Sequence, residues 1–213
     1  MRKTYLRDFE EQKIAYIPVG TLEWHGNHLP IETDSLVAEK LCEIVSEKVS
    51  GLVLPTLFLG TDKYDETLRG MERHLEKKLP AEIYFIKPEL LFEILSALVK
   101  NLSNFEKIFI ITGHAGSKQI ETLEKIDEEF KNVVFINPYS DVKIAVNHAD
   151  EYETSLFWAC YPEEEPKSRA VEIDGSDDYF QWLGYDPREK ASLKLGNELL
   201  NTIMKTLEQK VSK

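Results

Sequence analysis

Short apolar runs alternate along the chain with longer stretches in which apolar residues recur every three or four positions. Lys13–Val19 (KIAYIPV), Leu52–Phe58 and Lys107–Thr112 (KIFIIT) are nearly unbroken apolar runs, the pattern of strands covered on both faces. Asn132–Asn137 reads as a further strand and Ile83–Lys87 as a short one. Between them, Leu36, Val37, Leu41, Ile44, Val45 and Val49 mark Asp34–Val49 as an amphipathic helix, with Asp34 or Ser35 as its cap. Pro88 opens a helix to about Leu102, in a position where its missing N–H does no harm. Gly116–Phe130 reads as another helix and Glu189–Val211 as a closing one. Gly60–Pro80 is polar and loop-like, and after Asn147 only a helical patch at Thr154–Ala159 stands out. Strand and helix in this alternation predict an α/β domain with a mainly parallel sheet and helices on both faces, spanning residues 1–213 as one unit. In such sheets functional groups gather on loops beyond the carboxyl ends of the strands.

Charge narrows the functional classes. Thirty-eight acids against 26 bases leave a formal charge of -12. That excess, without a compensating Lys/Arg cluster, argues against a nucleic-acid binder and against docking on an anionic membrane. No apolar stretch approaches the ~20 residues a spanning helix needs, and the charged opening Met1 to Glu11 has no leader-peptide core. Two cysteines, Cys42 and Cys160, do not make a disulfide framework; two buried thiols in a reducing, cytoplasmic setting are expected.

Chemistry concentrates at two predicted strand ends. Thr21–Asp34 reads TLEWHGNHLPIETD and holds Glu23, His25, His28, Glu32 and Asp34. Glu23 and His25 are two apart, so an extended backbone points both to one side. A carboxylate and an imidazole on one side suit a divalent transition metal. Asp34 opens a helix and offers two oxygens that can bridge two ions. The second cluster, Gly113–Ser117, carries His114 directly after the central strand. Each group alone is commonplace, a solvated Glu or a capping His. The inferred fold, however, places both at one edge of the sheet.

The stretch GTLEWHGNHLPIETD resembles the signature of the creatininase (creatinine amidohydrolase) family, G-S-x-E-Q-H-G-P-H-L-P-x-x-T-D. Ile111–Ser117 (ITGHAGS) resembles that family's N-G-H-G-G-N, and His148–Ser155 (HADEYETS) its H-A-G-E-x-E-T-S. The resemblance implies a three-layer α/β/α domain with a two-metal centre that hydrolyses C–N bonds of small-molecule amides. Carried over by residue, Glu23 and His114 would hold one ion, His25 the other, and Asp34 would bridge them. Where creatininase has a metal-binding Glu two residues after the second motif's His, this chain has Gly116, so Glu153 is the candidate for the missing ligand. His148 would donate a proton or orient substrate, Glu153 could share in proton transfer, and His28 would orient a ligand from behind. The ions would be two per chain, Zn, Mn or Fe, because His and carboxylate donors accept all three. Between two such ions a water ionises near pH 7, and this hydroxide would attack the amide. A ring-like homo-oligomer, often a hexamer, is also implied.

Departures from the family pattern limit the transfer. Trp24 stands for Gln, Asn27 for Pro, Ser117 for Asn and Asp150 for Gly. Without a Glu at position 116, creatinine itself is a doubtful substrate. Trp24, Ser117 and Arg69 are the candidate substrate contacts; Lys63, Arg69 and Arg73 in the polar Thr61–Arg73 segment could meet an anionic group, although a solvated charged loop is the plainer reading. Tyr179, Phe180 and Trp182 could stack on a heterocycle, or serve as core or subunit contact, and Glu163–Glu165 reads as a solvated turn. One specific activity within the family is removal of a formyl group from 2-amino-5-formylamino-6-ribosylaminopyrimidinone 5'-phosphate in archaeal flavin and deazaflavin synthesis. A reading of another class is a non-catalytic metal-binding or assembly module on the same fold.

Overall fold

The computed structural model describes residues 9, 11–63, 86–140, 147–172 and 185–212. Among the described residues, four parallel strands form the sheet: β1 (Ile14–Val19), β2 (Leu52–Val53), β3 (Lys107–Thr112) and β4 (Val133–Ile136), in the order β2-β1-β3-β4. The helices are α1 (Thr33–Val49), α2 (Pro88–Asn101), α3 (Ser117–Glu129), α4 (Glu151–Cys160), α5 (Glu165–Arg169) and α6 (Leu193–Val211).

Period-two alternation along the strands sorts the side chains into two cores. Tyr16, Phe109 and Ile111 point to one face, where they meet α1, α4 and α6 through Val37, Leu41, Leu156, Trp158, Leu199 and Ile203. Ala15, Ile17, Ile108 and Ile110 point to the other, against Leu91 and Leu95 of α2 and Leu123 and Ile126 of α3. The result is the expected three-layer α/β/α arrangement. Cys42 and Cys160 are free thiols in the first core. Burial pushes Cys160 up to about 12 and Cys42 well above the ordinary thiol range. Neither should react with a disulfide reagent in the folded protein, and both should react once it is unfolded in guanidinium; rapid labelling of native protein would contradict the packing.

Several element boundaries differ from the sequence expectation. The β2 ladder stops at Val53 rather than Phe58: the Leu54 N–H still donates to the Tyr16 carbonyl at 2.9 Å, but Pro18 opposite has no N–H to return, and pairing resumes as a bridge between Val19 and Leu57. Neither Asp34 nor Ser35 caps α1. Glu32 takes that position without a side-chain hydrogen bond, and the Ser35 hydroxyl instead donates to the Thr21 carbonyl. Helix α4 is longer than its predicted patch, running from Glu151 to Cys160. The closing helix starts at Leu193, capped by Ser192, after a separate 3-10 turn at Pro187–Glu189. Pro162–Glu164 is a 3-10 turn that runs into α5. Most of the expected Ile83–Lys87 strand and Gly60–Pro80 loop lie outside the described residues, as do Arg69, Arg73, Tyr179, Phe180 and Trp182. Among the described residues, no helix is long and apolar enough to cross a membrane.

The strand order has a functional consequence. From β1 the chain leaves to one side for β2, then returns past β1 to build β3 and β4 on the other. The crevice at such a reversal lies between the carboxyl ends of β1 and β3. Register brings those ends level, Val19 against Thr112, and the Gly113 N–H donates to the Val19 carbonyl at 2.9 Å.

Candidate functional site

Three chain segments converge on that crevice. The loop after β1 carries Glu23, His25 and His28 and runs into α1, whose first turn holds Asp34. The turn after β3 carries His114. The turn before α4 supplies His148, and α4 itself Glu153. The first two segments touch because Gly113 has no side chain: a Cβ there would lie 1.9 Å from the Asp34 carbonyl oxygen. Glycine at that position is what allows β3 to deliver His114 against the start of α1.

Asp34 divides its two oxygens between two sets of donors. Its Oδ2 lies 3.2 Å from His114 Nδ1, which is also 3.2 Å from Glu23 Oε2. Its Oδ1 lies 3.3 Å from His25 Nε2, which is 3.7 Å from Glu153 Oε2. The ligand atoms of Glu23, Asp34 and His114 all lie within 4.8 Å of one another, and so do those of His25, Asp34 and Glu153. A third such group, Glu23, His25 and His148, connects the two sets.

These atoms are close without being well hydrogen-bonded. Glu23 Oε2, His25 Nε2 and Asp34 Oδ2 are buried and have no hydrogen-bond partner of proper geometry. Buried polar atoms left in that condition are costly unless something else meets them. The His25 ring shows what that would be. Its Nδ1 donates to the Glu23 carbonyl at 2.9 Å, which turns Nε2 toward two carboxylates. Oxygen and imidazole donors stripped of water and facing one another fit a divalent cation.

Electrostatics agree. Burial opposes a charge on His25, but the Asp34 and Glu153 carboxylates outweigh it and hold the imidazole well above its usual value. Burial is likewise overcome at His114, which Glu23 and Asp34 push up to about 10. Burial would raise Glu23 and Asp34; the neighbouring histidines hold both below the usual carboxylate range. Three buried acids thus surround their histidines with a field that favours positive charge.

Local structure explains how Glu153 and His148 are aimed. Asp150 accepts from the Tyr152 and Glu153 N–H groups and so caps α4, while a Glu153 carboxylate oxygen accepts from the Ala149 N–H. This reciprocal cap fixes the Glu153 side chain across the end of its own helix. Ala149 adopts a left-handed φ of 52°, a strained conformation for a non-glycine residue, next to His148. His148 Nε2 meets the Trp24 carbonyl at 2.5 Å, and its Nδ1 lies 3.9 Å from Glu23 Oε1. The His148 and His25 rings are 4.4 Å apart.

The remaining candidates sit farther out. His28 is buried, and its Nε2 pairs with the Thr154 hydroxyl at 2.9 Å, which ties the loop after β1 to the residue beside Glu153. Burial first, then the Arg188 guanidinium, lowers His28 to about 3, so it stays neutral. The Trp24 ring is buried, with its centroid 6.3 Å from that of His148. Ser117 is exposed at the start of α3, where its hydroxyl donates to Asp62 at 3.4 Å. Lys63 is exposed. Arg69 falls outside the described residues.

Two groups escaped the sequence reading. Gln119 is fully buried; its amide donates to the Thr112 hydroxyl, which donates to the His114 carbonyl at 2.6 Å. Tyr139 follows β4 and donates its phenol hydrogen to the Gly113 carbonyl at 3.0 Å. Burial, with Glu153 and Asp34 nearby, holds that phenol well above its usual value. The signal for Tyr139 was faint: an Asn-Pro turn after a predicted strand, at the sheet edge where loops carry function.

Comparison with known proteins bears on this geometry. The family model described as creatinine amidohydrolase, Creatininase, matches residues 1–211. The chain is 28% identical over 126 residues to a 2-amino-5-formylamino-6-ribosylaminopyrimidin-4(3H)-one 5'-monophosphate deformylase of Methanosphaera stadtmanae; the match covers 58% of this chain and 50% of that protein. It is 38% identical over 47 residues to the creatinine amidohydrolase of Pseudomonas putida, covering 22% of this chain and 18% of that protein. The chain thus spans half the length, or less, of these curated relatives. Among solved structures, a creatinine amidohydrolase (creatininase) superposes with a TM-score of 0.71 at 19% identity, over 96% of this chain and 91% of the other. A creatininase described as Mn superposes with a TM-score of 0.70 at 18% identity, over 96% and 92%. A mutant creatininase of Zn-Zn type gives 0.69 at 18%, over 95% and 90%. At such identities the structural likeness concerns the fold.

Proposed function

The chain belongs to the creatininase family, and from that premise we propose that it is a hydrolase of a non-peptide C–N amide bond that works with a pair of divalent ions. The observation that carries this reading is the division of Asp34 between two donor sets. Glu23, Asp34 and His114 would hold one ion, and His25, Asp34 and Glu153 the other. Three carboxylates against two divalent charges leave the site short of negative charge, which suits an anionic nucleophile. The relatives solved as Mn and Zn-Zn forms support such metals. When bound, a pair of this kind lowers the pKa of a water between its members and polarises the amide oxygen.

The chain's own groups supply orientation and protons. With its Nε2–H committed to the Trp24 carbonyl, His148 would use Nδ1 to take up the proton released as the nucleophile adds and pass it to the departing nitrogen. His28, through Thr154, keeps α4 in place so that Glu153 stays opposite His25. No serine or cysteine nucleophile is required, and both thiols are buried in the core that α1, α4 and α6 form against the sheet.

Among amides, we favour the formyl group of a formamidopyrimidine nucleotide, because the deformylase is the curated relative with the longer match. A homo-oligomer remains part of this reading. Protein purified without chelator and supplemented with Zn, Mn or Fe should bind about two ions per chain and hydrolyse this substrate in a screen that also holds creatinine and simple linear and cyclic amides. Less than about a tenth of an ion per chain, or hydrolysis that survives joint replacement of His25 and His114, would overturn the proposal; the first result would favour a non-catalytic module. Glu153→Gln gives a finer check. It should bind one ion tightly and lose the other, with turnover reduced at least roughly hundredfold.

A further inference from the structure

The Gly113 peptide is the point at which the two halves of the crevice meet. Its N–H donates to the Val19 carbonyl at the end of β1. Its bare Cα presses on the Asp34 backbone, with a hypothetical Cβ 1.9 Å from the Asp34 carbonyl oxygen and 3.2 Å from the Ala38 nitrogen. The next residue is His114. Any rotation of this peptide therefore changes the spacing between Asp34 and His114.

One side chain from outside the motifs holds the peptide. Tyr139 stands in the turn after β4, and its hydroxyl reaches the Gly113 carbonyl at 3.0 Å across 26 residues of sequence. The turn is rigid. The Asn137 side chain accepts from the Tyr139 N–H at 3.0 Å, and the Asn137 carbonyl accepts from the Ser140 hydroxyl at 2.9 Å. The ring packs beside the core shared by α1, α4 and the sheet.

We propose that Tyr139 is a positioning residue: its hydroxyl fixes the Gly113 carbonyl and thereby sets His114 at the distance from Asp34 that paired ions require. This rests on the two-ion reading above. Outer groups that orient a ligand typically contribute about ten- to a hundredfold in metal affinity or activity. Tyr139 acts on a ligand through its backbone, so the same range applies.

Tyr139→Phe keeps the ring and removes one oxygen; Tyr139→Leu removes the ring as well. Manganese titration followed by electron paramagnetic resonance reads both affinity and the exchange coupling of neighbouring ions. Wild-type protein should develop the coupled signal at two equivalents. Tyr139→Phe should bind at least tenfold more weakly and lose most of that coupling, while its melting temperature without metal stays within about 4 °C. A role in packing alone would leave the Phe variant like wild type and affect only Leu; that result overturns the assignment of Tyr139 and leaves the paired-ion reading standing. Wild-type protein that never shows a coupled signal overturns both.

Discussion

Replacing Asp34 by Asn should abolish both metal sites in one step and lower turnover by about a thousandfold or more, the equivalent of roughly 4 kcal/mol of transition-state stabilisation. Asn has the shape of Asp but offers one oxygen and no charge. It cannot serve the His114 set and the His25 set together, as the two oxygens of Asp34 are placed to do. The effect should also be visible in stability. A ligand at a hundredfold excess over its Kd stabilises the folded state by about 2.7 kcal/mol. For a chain of this size that raises the melting temperature by roughly 5–10 °C. Wild-type protein should show that rise when metal is added and the Asn variant should not. If the variant keeps the full rise and two ions, Asp34 does not bridge.

Gly113→Ala should be the most damaging single methyl in the molecule for metal binding. The added Cβ would meet the Asp34 carbonyl oxygen at 1.9 Å and the carbonyl carbon at 2.8 Å, both backbone atoms that cannot swing aside. Either β3 or the first turn of α1 must shift, and either shift separates Asp34 from His114. The expected cost is about 3 kcal/mol of folding free energy and loss of tight binding. Leu95→Ala supplies the comparison. It lies fully buried in the core on the opposite face of the sheet and should cost a similar ~3 kcal/mol through a cavity. Its metal affinity should stay near wild type. Equal affinities for the two variants would show that Gly113 serves packing alone.

Strands β1 and β3 were legible in the sequence because both are covered on two faces, and burial on both faces requires unbroken apolar runs. Strand β2 was overread, since Leu52–Phe58 is apolar enough but Pro18, facing it on β1, has no N–H to return to the ladder. The start of α4 was underread. Nothing periodic announces Glu151–Glu153 as helical; the helix begins there because Asp150 and Glu153 cap it reciprocally, and Asp150 is the residue that replaces the family's Gly. The site followed the same logic. Glu23, His25, Asp34 and His114 were legible because their motif is long and their strand ends adjacent. Tyr139 and the Thr154 partner of His28 were not, because each acts across a large separation in sequence and leaves no local trace.

Gly196 is to α6 what Gly113 is to β3. A Cβ on it would meet the Ser155 carbonyl oxygen at 1.8 Å, and the neighbouring Ser192 N–H donates to the Ser155 hydroxyl. Helix α4 therefore rests directly on α6. On the ribosome, residues 14–140 emerge first, and they already contain Glu23, Asp34 and His114. Glu153 emerges later and gains its backing only when Gly196 has cleared the exit tunnel. A nascent chain accordingly has all the residues of one trio of donors before those of the other.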